Sequence, residues 1–149
     1  MQFSSFEQDE PAKAPRSLRI LVADDDRDTV LTLTTVLRHE GYDTRGVYRG
    51  QDVLSTFEDY EPDAVLLDIN MPDMNGYDVA RAIKNIPYGP RPLLIGISGV
   101  YRKGADKVLA GIVGFDHYLT KPYEASEVLK LLAPLRNAST GRLVLTSFF

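Results

Sequence analysis

The chain has 149 residues, of which 44% are hydrophobic and 26% are charged, and its formal net charge is −4. This length is enough for one domain with its own apolar core, and the absence of cysteine excludes disulfide bonds and thiolate chemistry. The acidic balance disfavours nucleic-acid binding, and every apolar run is far shorter than the roughly 20 residues of a membrane helix. We therefore expect a protein of the cytoplasm that binds neither nucleic acid nor membrane.

Composition divides the chain into three parts. Residues 1–17 are mostly polar, with prolines, and predict a flexible N-terminal arm. Residues 18–136 carry regular apolar patterns and predict the folded domain. Residues 137–149 form a tail, in which 137–141 is typical of a turn or linker and 142–149 has a strand-like composition. This tail could be disordered, could cover the domain surface or could bind a partner.

Strand-like segments alternate with helix-like segments five times from residue 19 onward. The strands are predicted at Arg19–Ala23, Thr44–Tyr48, Asp63–Leu67, Leu93–Ile97 and Phe115–Leu119. The helices are predicted between the first strand and Gly41, and at Asp52–Tyr60, Gly76–Ile86, Arg102–Ala110 and Glu124–Leu135. This alternation is typical of an α/β fold, an open parallel sheet with helices on both faces.

Polar residues with distinct chemistry stand where four of these strands end. Asp24 and Asp25 follow the first strand, Asp68 the third, Ser98 the fourth and Lys121 the fifth. The carboxyl ends of parallel strands form the ligand-binding edge of such a sheet, so these side chains should converge. Clustered carboxylates bind a hard divalent cation such as Mg²⁺, and an aspartate can attack phosphorus to give an aspartyl phosphate. The set fits phosphoryl transfer best, with a lysine and a hydroxyl near the phosphoryl oxygens.

Four segments resemble the signature segments of response-regulator receiver domains. They are Ile20–Asp26, Leu66–Gly76, Ile97–Gly99 and Tyr118–Pro122, and the resemblance covers about residues 18–136. It implies a flavodoxin-like (βα)5 fold, a doubly wound parallel five-stranded sheet in the order 2-1-3-4-5. It also implies a two-component phosphorelay, in which a histidine kinase or a histidine phosphotransfer protein supplies the phosphoryl group.

The resemblance assigns the phosphoacceptor and the metal ligands. Asp68 would accept the phosphoryl group. Mg²⁺ or Mn²⁺ would bind Asp25, Asp68 and the backbone carbonyl of Asn70 directly, and Asp24 through water. Such a domain catalyses only its own phosphorylation and dephosphorylation, and it signals by contact with other proteins.

The resemblance also assigns the residues that respond to phosphorylation. Lys121 would contact the phosphoryl group, and Pro122 would follow a cis peptide. Ser98 would move to hydrogen-bond a phosphoryl oxygen, and Tyr118 would rotate inward behind it as the second switch residue. Gly99 stands where the family usually has alanine, which gives this loop more backbone freedom.

The partners beyond the phosphodonor are not specified by these motifs. Because only residues 137–149 follow the predicted folded domain, we expect no output domain in the chain. We interpret it as a stand-alone receiver or as the receiver of a hybrid histidine kinase. The downstream partner would be an unknown protein, and a homodimer is a further possibility.

Three other functions compete with this interpretation. A metal-dependent phosphohydrolase of this kind usually carries a second aspartate two residues after the nucleophile, where this chain has Asn70. A flavin-binding module would need Ser, Thr or Gly amides after the first strand, where aspartates stand. A pseudo-receiver would lack part of the site, which is intact here. His39 and His117 are interpreted as structural or exposed, and Asp26 as the cap of the first helix.

Overall fold

The computed structural model describes residues 16–99, 111 and 113–139, and strands and helices alternate as the apolar pattern predicts up to the fourth strand of the main sheet and again after the fifth. The strands of the main sheet are β1 Arg19–Ala23, β2 Asp43–Val47, β3 Ala64–Asp68, β4 Leu93–Ser98 and β5 His117–Thr120. The helices with described bounds are α1 Arg27–His39, α2 Gln51–Tyr60, α3 Gly76–Lys84 and α4 Ala125–Ser139. Except at the end of α4, these bounds differ from the predicted ones by at most two residues, as helix and strand ends commonly do.

The main sheet is parallel and has the strand order β2-β1-β3-β4-β5, which confirms the predicted doubly wound arrangement. Strand β1 pairs on both sides, with Val22 opposite Gly46 of β2 and opposite Leu66 of β3. The chain proceeds from β1 to one edge of the sheet and then returns through β3 to the other edge. The order therefore reverses beside β1 and β3, where sheets of this type bind ligands at the carboxyl ends of the strands.

Two apolar layers cover the faces of this sheet. One layer packs beneath α2 and α3 and includes Leu21, Val65, Leu67, Val53, Val79 and Phe115. The other packs beneath α1 and α4 and includes Ile20, Val22, Leu66, Leu37, Val128 and Leu132. Because successive strand residues point to opposite faces, the unbroken apolar runs of β1 and β3 supply both layers. The two layers hold the strand ends, and the polar residues on them, in fixed positions.

Helix α1 begins at the cap that the sequence predicts. The side chain of Asp26 accepts hydrogen bonds from the backbone N–H of Asp28 at 3.1 Å and from the hydroxyl of Thr29 at 3.0 Å. After the helix, Gly41 has φ of +97°, a left-handed conformation that costs glycine no Cβ clash. Between these ends the apolar positions at helical spacing face the sheet, whereas Leu31 points outward and is 64% exposed.

Helix α4 extends further than the sequence predicts. The turn predicted from Asn137 is wrong for residues 137–139, since the helix continues through Pro134 to Ser139. The guanidinium of Arg136 explains the extension, because it donates to the backbone carbonyl of Glu40 at 2.7 Å and fastens the last turns to the end of α1. Adding turns to an existing helix also costs far less than starting one.

Several sequence predictions lie outside the described residues. They are the N-terminal arm up to residue 15, the helix at Arg102–Ala110 and the strand-like segment 142–149. Among the helices that the structure describes, none is long and apolar enough to cross a membrane.

Candidate functional site

The polar residues at the strand ends lie together in the folded chain. Asp24, Asp25 and Asp68 each place a carboxylate oxygen within 4.8 Å of the others. The ammonium Nζ of Lys121 lies 3.0 Å from Asp24 Oδ2 and 3.6 Å from Asp68 Oδ2. The ends of β1, β3 and β5 supply these side chains, so residues almost 100 positions apart meet at one edge of the sheet.

The three carboxylates differ in burial. Asp24 is 3% exposed and Asp68 is 4% exposed, whereas Asp25 is exposed to solvent. The Asp24 side chain turns inward, where its Oδ1 accepts the backbone N–H of Asp26 at 2.9 Å. The side chain of Asp25, the next residue of the loop, is exposed to solvent. The cluster therefore has two buried carboxylates and one that a cation from solution can reach first.

Two hydrogen bonds connect the end of β3 with the end of β4. Asp68 Oδ1 accepts the backbone N–H of Asn70 at 3.0 Å, and the Asn70 side-chain amide donates to Ser98 Oγ at 3.1 Å. Ser98 is the last residue of β4 and is 2% exposed. The sequence predicts only a backbone role for Asn70. Its side-chain link to Ser98 was missed, because it depends on how the loop after β3 passes beside β4.

Burial and charge shift the acid–base properties of the cluster. Burial raises the pKa of Asp68 to about 6, and the negative charge of Asp24 raises it further. The hydrogen bond from the Asn70 N–H and the charge of Lys121 lower this pKa but do not offset the increase. Burial lowers the pKa of Lys121, but its hydrogen bond to Asp24 and the charge of Asp68 outweigh burial, so that pKa is raised overall. Near pH 7 the lysine is therefore charged and most of the Asp68 carboxyl groups are ionised. The cluster then has three carboxylates and one ammonium, and the excess negative charge favours a cation.

The loop after β3 is held by contacts that local sequence patterns do not reveal. A Cβ on Gly76 would lie 2.5 Å from the Cα of Ile69, so only glycine fits at the start of α3. Within the loop, the Asp73 carboxylate accepts the backbone N–H of Gly50 at 2.9 Å and of Gln51 at 3.1 Å. These contacts fix the loop that follows Asp68 against α2.

The remaining predicted residues lie in and after β5. The Lys121–Pro122 peptide is cis, as the family resemblance implies. Tyr118 is half-buried and packs against the apolar layer beneath α2 and α3. Tyr123 is a neighbour that the sequence analysis missed, since a tyrosine in this loop carries no pattern of its own. Burial raises the pKa of its hydroxyl, as does the charge of nearby Asp24.

The histidines stand apart from this cluster. His39 is exposed at the end of α1, and His117 is half-buried in β5. Among the residues with described positions, the group of side chains that could share a metal ion consists of aspartates alone. This agrees with the interpretation of both histidines as structural or exposed.

Comparison with known proteins identifies the family. A family model for the response regulator receiver domain matches residues 20–133. The chain belongs to this family. The DNA-binding response regulator MtrA of Mycolicibacterium paratuberculosis is 39% identical over 119 residues, 79% of this chain and 51% of that protein. The cell cycle transcriptional regulator CtrA of Caulobacter vibrioides is 32% identical over 125 residues, 83% of this chain and 52% of that protein. The chain thus spans about half the length of these relatives.

Solved structures of receiver domains share the fold. A CheY-like receiver domain protein from Methanospirillum hungatei aligns with a TM-score of 0.75 and 24% identity, covering 84% of this chain and 98% of that one. The signal receiver domain of a response regulator from Bermanella marisrubri aligns with a TM-score of 0.69 and 29% identity, covering 80% of this chain and 98% of that one. Together with the strand order, these alignments confirm the flavodoxin-like receiver fold. Receiver domains are signalling domains whose general function is to accept a phosphoryl group.

Proposed function

We propose that Asp68 is the phosphoacceptor of this receiver domain in a two-component phosphorelay. The position of Asp68 carries the proposal. Its carboxylate is buried at the carboxyl end of β3, 3.6 Å from the ammonium of Lys121 and clustered with Asp24 and Asp25. A structural ion pair would need one carboxylate for this lysine, whereas three are present. An excess of carboxylates over ammonium at the ligand-binding edge of the sheet suits a site for a metal and a phosphoryl group.

The reaction would be an attack of the Asp68 carboxylate on phosphorus. A carboxylate oxygen forms the new P–O bond while the bond from phosphorus to the donor's nitrogen or oxygen breaks, and the electron pair leaves with the donor. The attack needs the ionised acid, which a pKa of about 6 still provides near pH 7. The Asn70 N–H orients the carboxylate, and Lys121 neutralises charge on the phosphoryl oxygens. Ser98 would leave the Asn70 amide and donate its hydroxyl to a phosphoryl oxygen.

The residues present fit a divalent cation. Asp25, Asp68 and the backbone carbonyl of Asn70 would hold Mg²⁺ or Mn²⁺, with Asp24 acting through water. Oxygen ligands are the ones that such hard cations prefer, and the three carboxylates carry more charge than Lys121 neutralises. The bound ion would supply further positive charge at the phosphoryl oxygens.

We expect signalling by protein contact rather than catalysis on a separate substrate. The phosphodonor would be a histidine kinase or a histidine phosphotransfer protein, and the recipient another protein or a second copy of this chain. Asn70 counts against a phosphohydrolase, because its amide cannot act as the acid–base group that such an enzyme needs. MtrA is named as DNA-binding, but this chain spans about half of that protein, and we predict that residues 18–136 bind no nucleic acid themselves. We place the protein in the cytoplasm.

Phosphorylation in vitro tests the assignment of Asp68. Acetyl phosphate with Mg²⁺ should add one phosphoryl group that is stable in acid and labile in base, as acyl phosphates are. Asp68→Asn should stay folded and unlabelled, and mass spectrometry would measure both. Asp78→Asn is the matched control, because Asp78 is an exposed aspartate of α3 paired with Arg81, and its loss should leave labelling intact. Labelling that persists in Asp68→Asn would refute the proposal.

A further inference from the structure

A second concave surface lies at the end of the sheet opposite Asp68. It is a groove of about 670 Å³, which we call the basal groove. The segments that enter β1, β3 and β4 line it with Leu18, Pro62 and Pro92. Phe57 of α2, Ile86 after α3 and Leu135 of α4 add further apolar lining.

The basal groove is separate from the candidate phosphorylation site. Strand β3 runs from the groove, which Asp63 lines, to the site, where Asp68 ends the strand. Five residues of extended chain separate these two positions by roughly 17 Å. A ligand in the groove would therefore not contact the aspartate cluster.

The groove leaves apolar side chains partly uncovered. Phe57, Ile86 and Leu135 are all half-buried, and the aromatic ring of Tyr88 at the margin is 72% exposed. An apolar concavity with charged side chains at its margin is a feature that binding surfaces commonly have. The chain itself leads to this surface, because Leu135 and Ala138 line it and α4 ends one residue later at Ser139.

We propose that residues 142–149 of this chain bind in the basal groove. Five of the eight residues in this segment are apolar: Leu143, Val144, Leu145, Phe148 and Phe149. Such a segment gains from burial, and two residues after α4 are enough to begin it at the margin of the groove. In extended form the eight residues would span roughly 26–29 Å, so the segment can extend well beyond its starting point near the end of α4.

Charge favours residues 142–149 over residues 1–15 as the occupant of the groove. Residues 1–15 are the alternative because the next residue, Arg16, lines the groove. The charged residues that line the groove have a net charge of −1: Glu58, Glu61 and Asp63 against Arg16 and Arg91. The side chains of residues 142–149 carry +1, from Arg142. The side chains of residues 1–15 carry −2: Glu7, Asp9 and Glu10 against Lys13. The acidic side chains at the groove therefore favour a segment that carries Arg142 over one that carries three acids.

Distance measurement in the full chain tests the proposal. Because the sequence has no cysteine, spin labels can be attached at Asp59→Cys, an exposed position of α2 beside the groove, and at Ser147→Cys. Double electron–electron resonance should give one narrow distance distribution between these labels. An unbound segment would instead sample positions roughly 14–17 Å on average from the end of α4 and give a broad distribution. A broad distribution in this labelled chain would overturn the proposal.

Charge placed on either partner should release the segment. Leu143→Asp with Leu145→Asp should broaden the distribution, and so should Ile86→Asp in the groove. Thr140→Asn with Thr146→Asn also changes two residues, but it adds no charge and removes no apolar side chain, so it should preserve the narrow distribution. Circular dichroism would verify that each variant is folded. If the distance distribution stays narrow both in the Leu143/Leu145 variant and in the Ile86 variant, the segment binds elsewhere. That result would overturn the proposal.

Two further labelled samples separate the other occupants. A narrow distance from Asp59→Cys to Ser4→Cys, with a broad one to Ser147→Cys, would assign the groove to the N-terminal segment instead. A narrow distance that disappears when labelled chain is diluted with unlabelled chain would assign it to a second copy. Asp68→Asn should leave the distance distribution unchanged. The result of this experiment therefore does not depend on whether Asp68 is the phosphoacceptor.

Discussion

At the residue scale, the chemistry of the site depends on how Asp68 is held. Its carboxylate lies among other acids with one ammonium beside it, and burial raises its pKa to about 6. The folded protein therefore stabilises the neutral form of the Asp68 carboxyl group more than its ionised form. A buried charge without full compensation is destabilising, and this cost is typical of functional sites.

The first prediction concerns pH and stability in the absence of metal. Since the folded pKa is raised, this carboxyl group stabilises the fold fully below its unfolded pKa of about 4, and that stability is lost as the pH rises through about 6. Asp68→Asn should therefore be more stable than wild type above pH 7, by up to about 3 kcal/mol, and similar to it near pH 4. Urea unfolding with a chelator from pH 4 to 8 measures this. Asp78→Asn should show no such divergence, and a constant difference between Asp68→Asn and wild type would contradict the raised pKa.

The second prediction concerns the cation. Mg²⁺ should raise the melting temperature of the wild-type chain, because binding to the folded state alone adds about 2.7 kcal/mol at a concentration 100 times Kd. Asp25→Ala should remove most of this increase, since Asp25 is the acid of the cluster that solvent reaches. Asp26→Ala is the control, because Asp26 caps α1 and its loss should lower stability with and without Mg²⁺ alike. A normal Mg²⁺ response in Asp25→Ala would exclude Asp25 from the metal site.

At the element scale, helix α2 depends on a side chain from another part of the chain. Its N-cap residue is Gly50, which has no side chain to accept the first N–H groups of the helix. The Asp73 carboxylate accepts them instead, at 2.9 Å from Gly50 N and 3.1 Å from Gln51 N. These hydrogen bonds lower the pKa of Asp73. The start of α2 and the loop that follows Asp68 therefore stabilise each other.

Removal of this distant cap is the third prediction. Asp73→Ala should lower the urea midpoint and speed amide hydrogen exchange at Gly50 and Gln51, because both N–H groups lose their acceptor. Because the folded pKa of Asp73 is lowered, its contribution is present above the ordinary carboxyl pKa of about 4 and declines as the pH falls below it. Asp59→Ala removes a carboxylate from the same helix and should leave exchange at Gly50 unchanged. Equal exchange rates in wild type and Asp73→Ala would show that the cap contributes nothing.

At the scale of the whole molecule, the predicted switch connects the site with one side of the domain. Ser98 ends β4, and Tyr118 and Lys121 lie in and after β5, so we expect a change at Asp68 to reach this side first. Two arrangements of these residues would exist before phosphorylation, and the phosphoryl group would shift their populations. A coupling of roughly 1–3 kcal/mol is enough for a useful switch.

The fourth prediction is that signals leave through β5, α4 and the helix predicted at Arg102–Ala110. Hydrogen exchange with and without beryllofluoride, a mimic of the phosphoryl group, should differ across residues 98–123. The Asp68→Asn variant treated in the same way is the control and should show no difference. Changes confined to residues 68–76 would contradict this route.

Most of the fold could be predicted from the sequence. Unbroken apolar runs such as Ile20–Ala23 and Ala64–Leu67 indicate strands buried on both faces, and amphipathic segments between them indicate covering helices. Parallel strands of similar length end at one edge, so Asp24, Asp68 and Lys121 could be assigned to a common site without coordinates. These inferences succeed because they depend on local periodicity and on the direction of the strands.

The contacts between distant residues were decided only by the tertiary structure. The cap of α2 joins Gly50 to Asp73, and the link from Asn70 to Ser98 joins two strand ends. The extension of α4 to Ser139 depends on Arg136 reaching the carbonyl of Glu40, which overrides the turn-like composition after residue 136. Each is a hydrogen bond between groups at least 23 positions apart in the chain, and its existence depends on how packed elements meet. Local sequence patterns specify each element, but only packing determines which polar groups of different elements come within hydrogen-bonding distance.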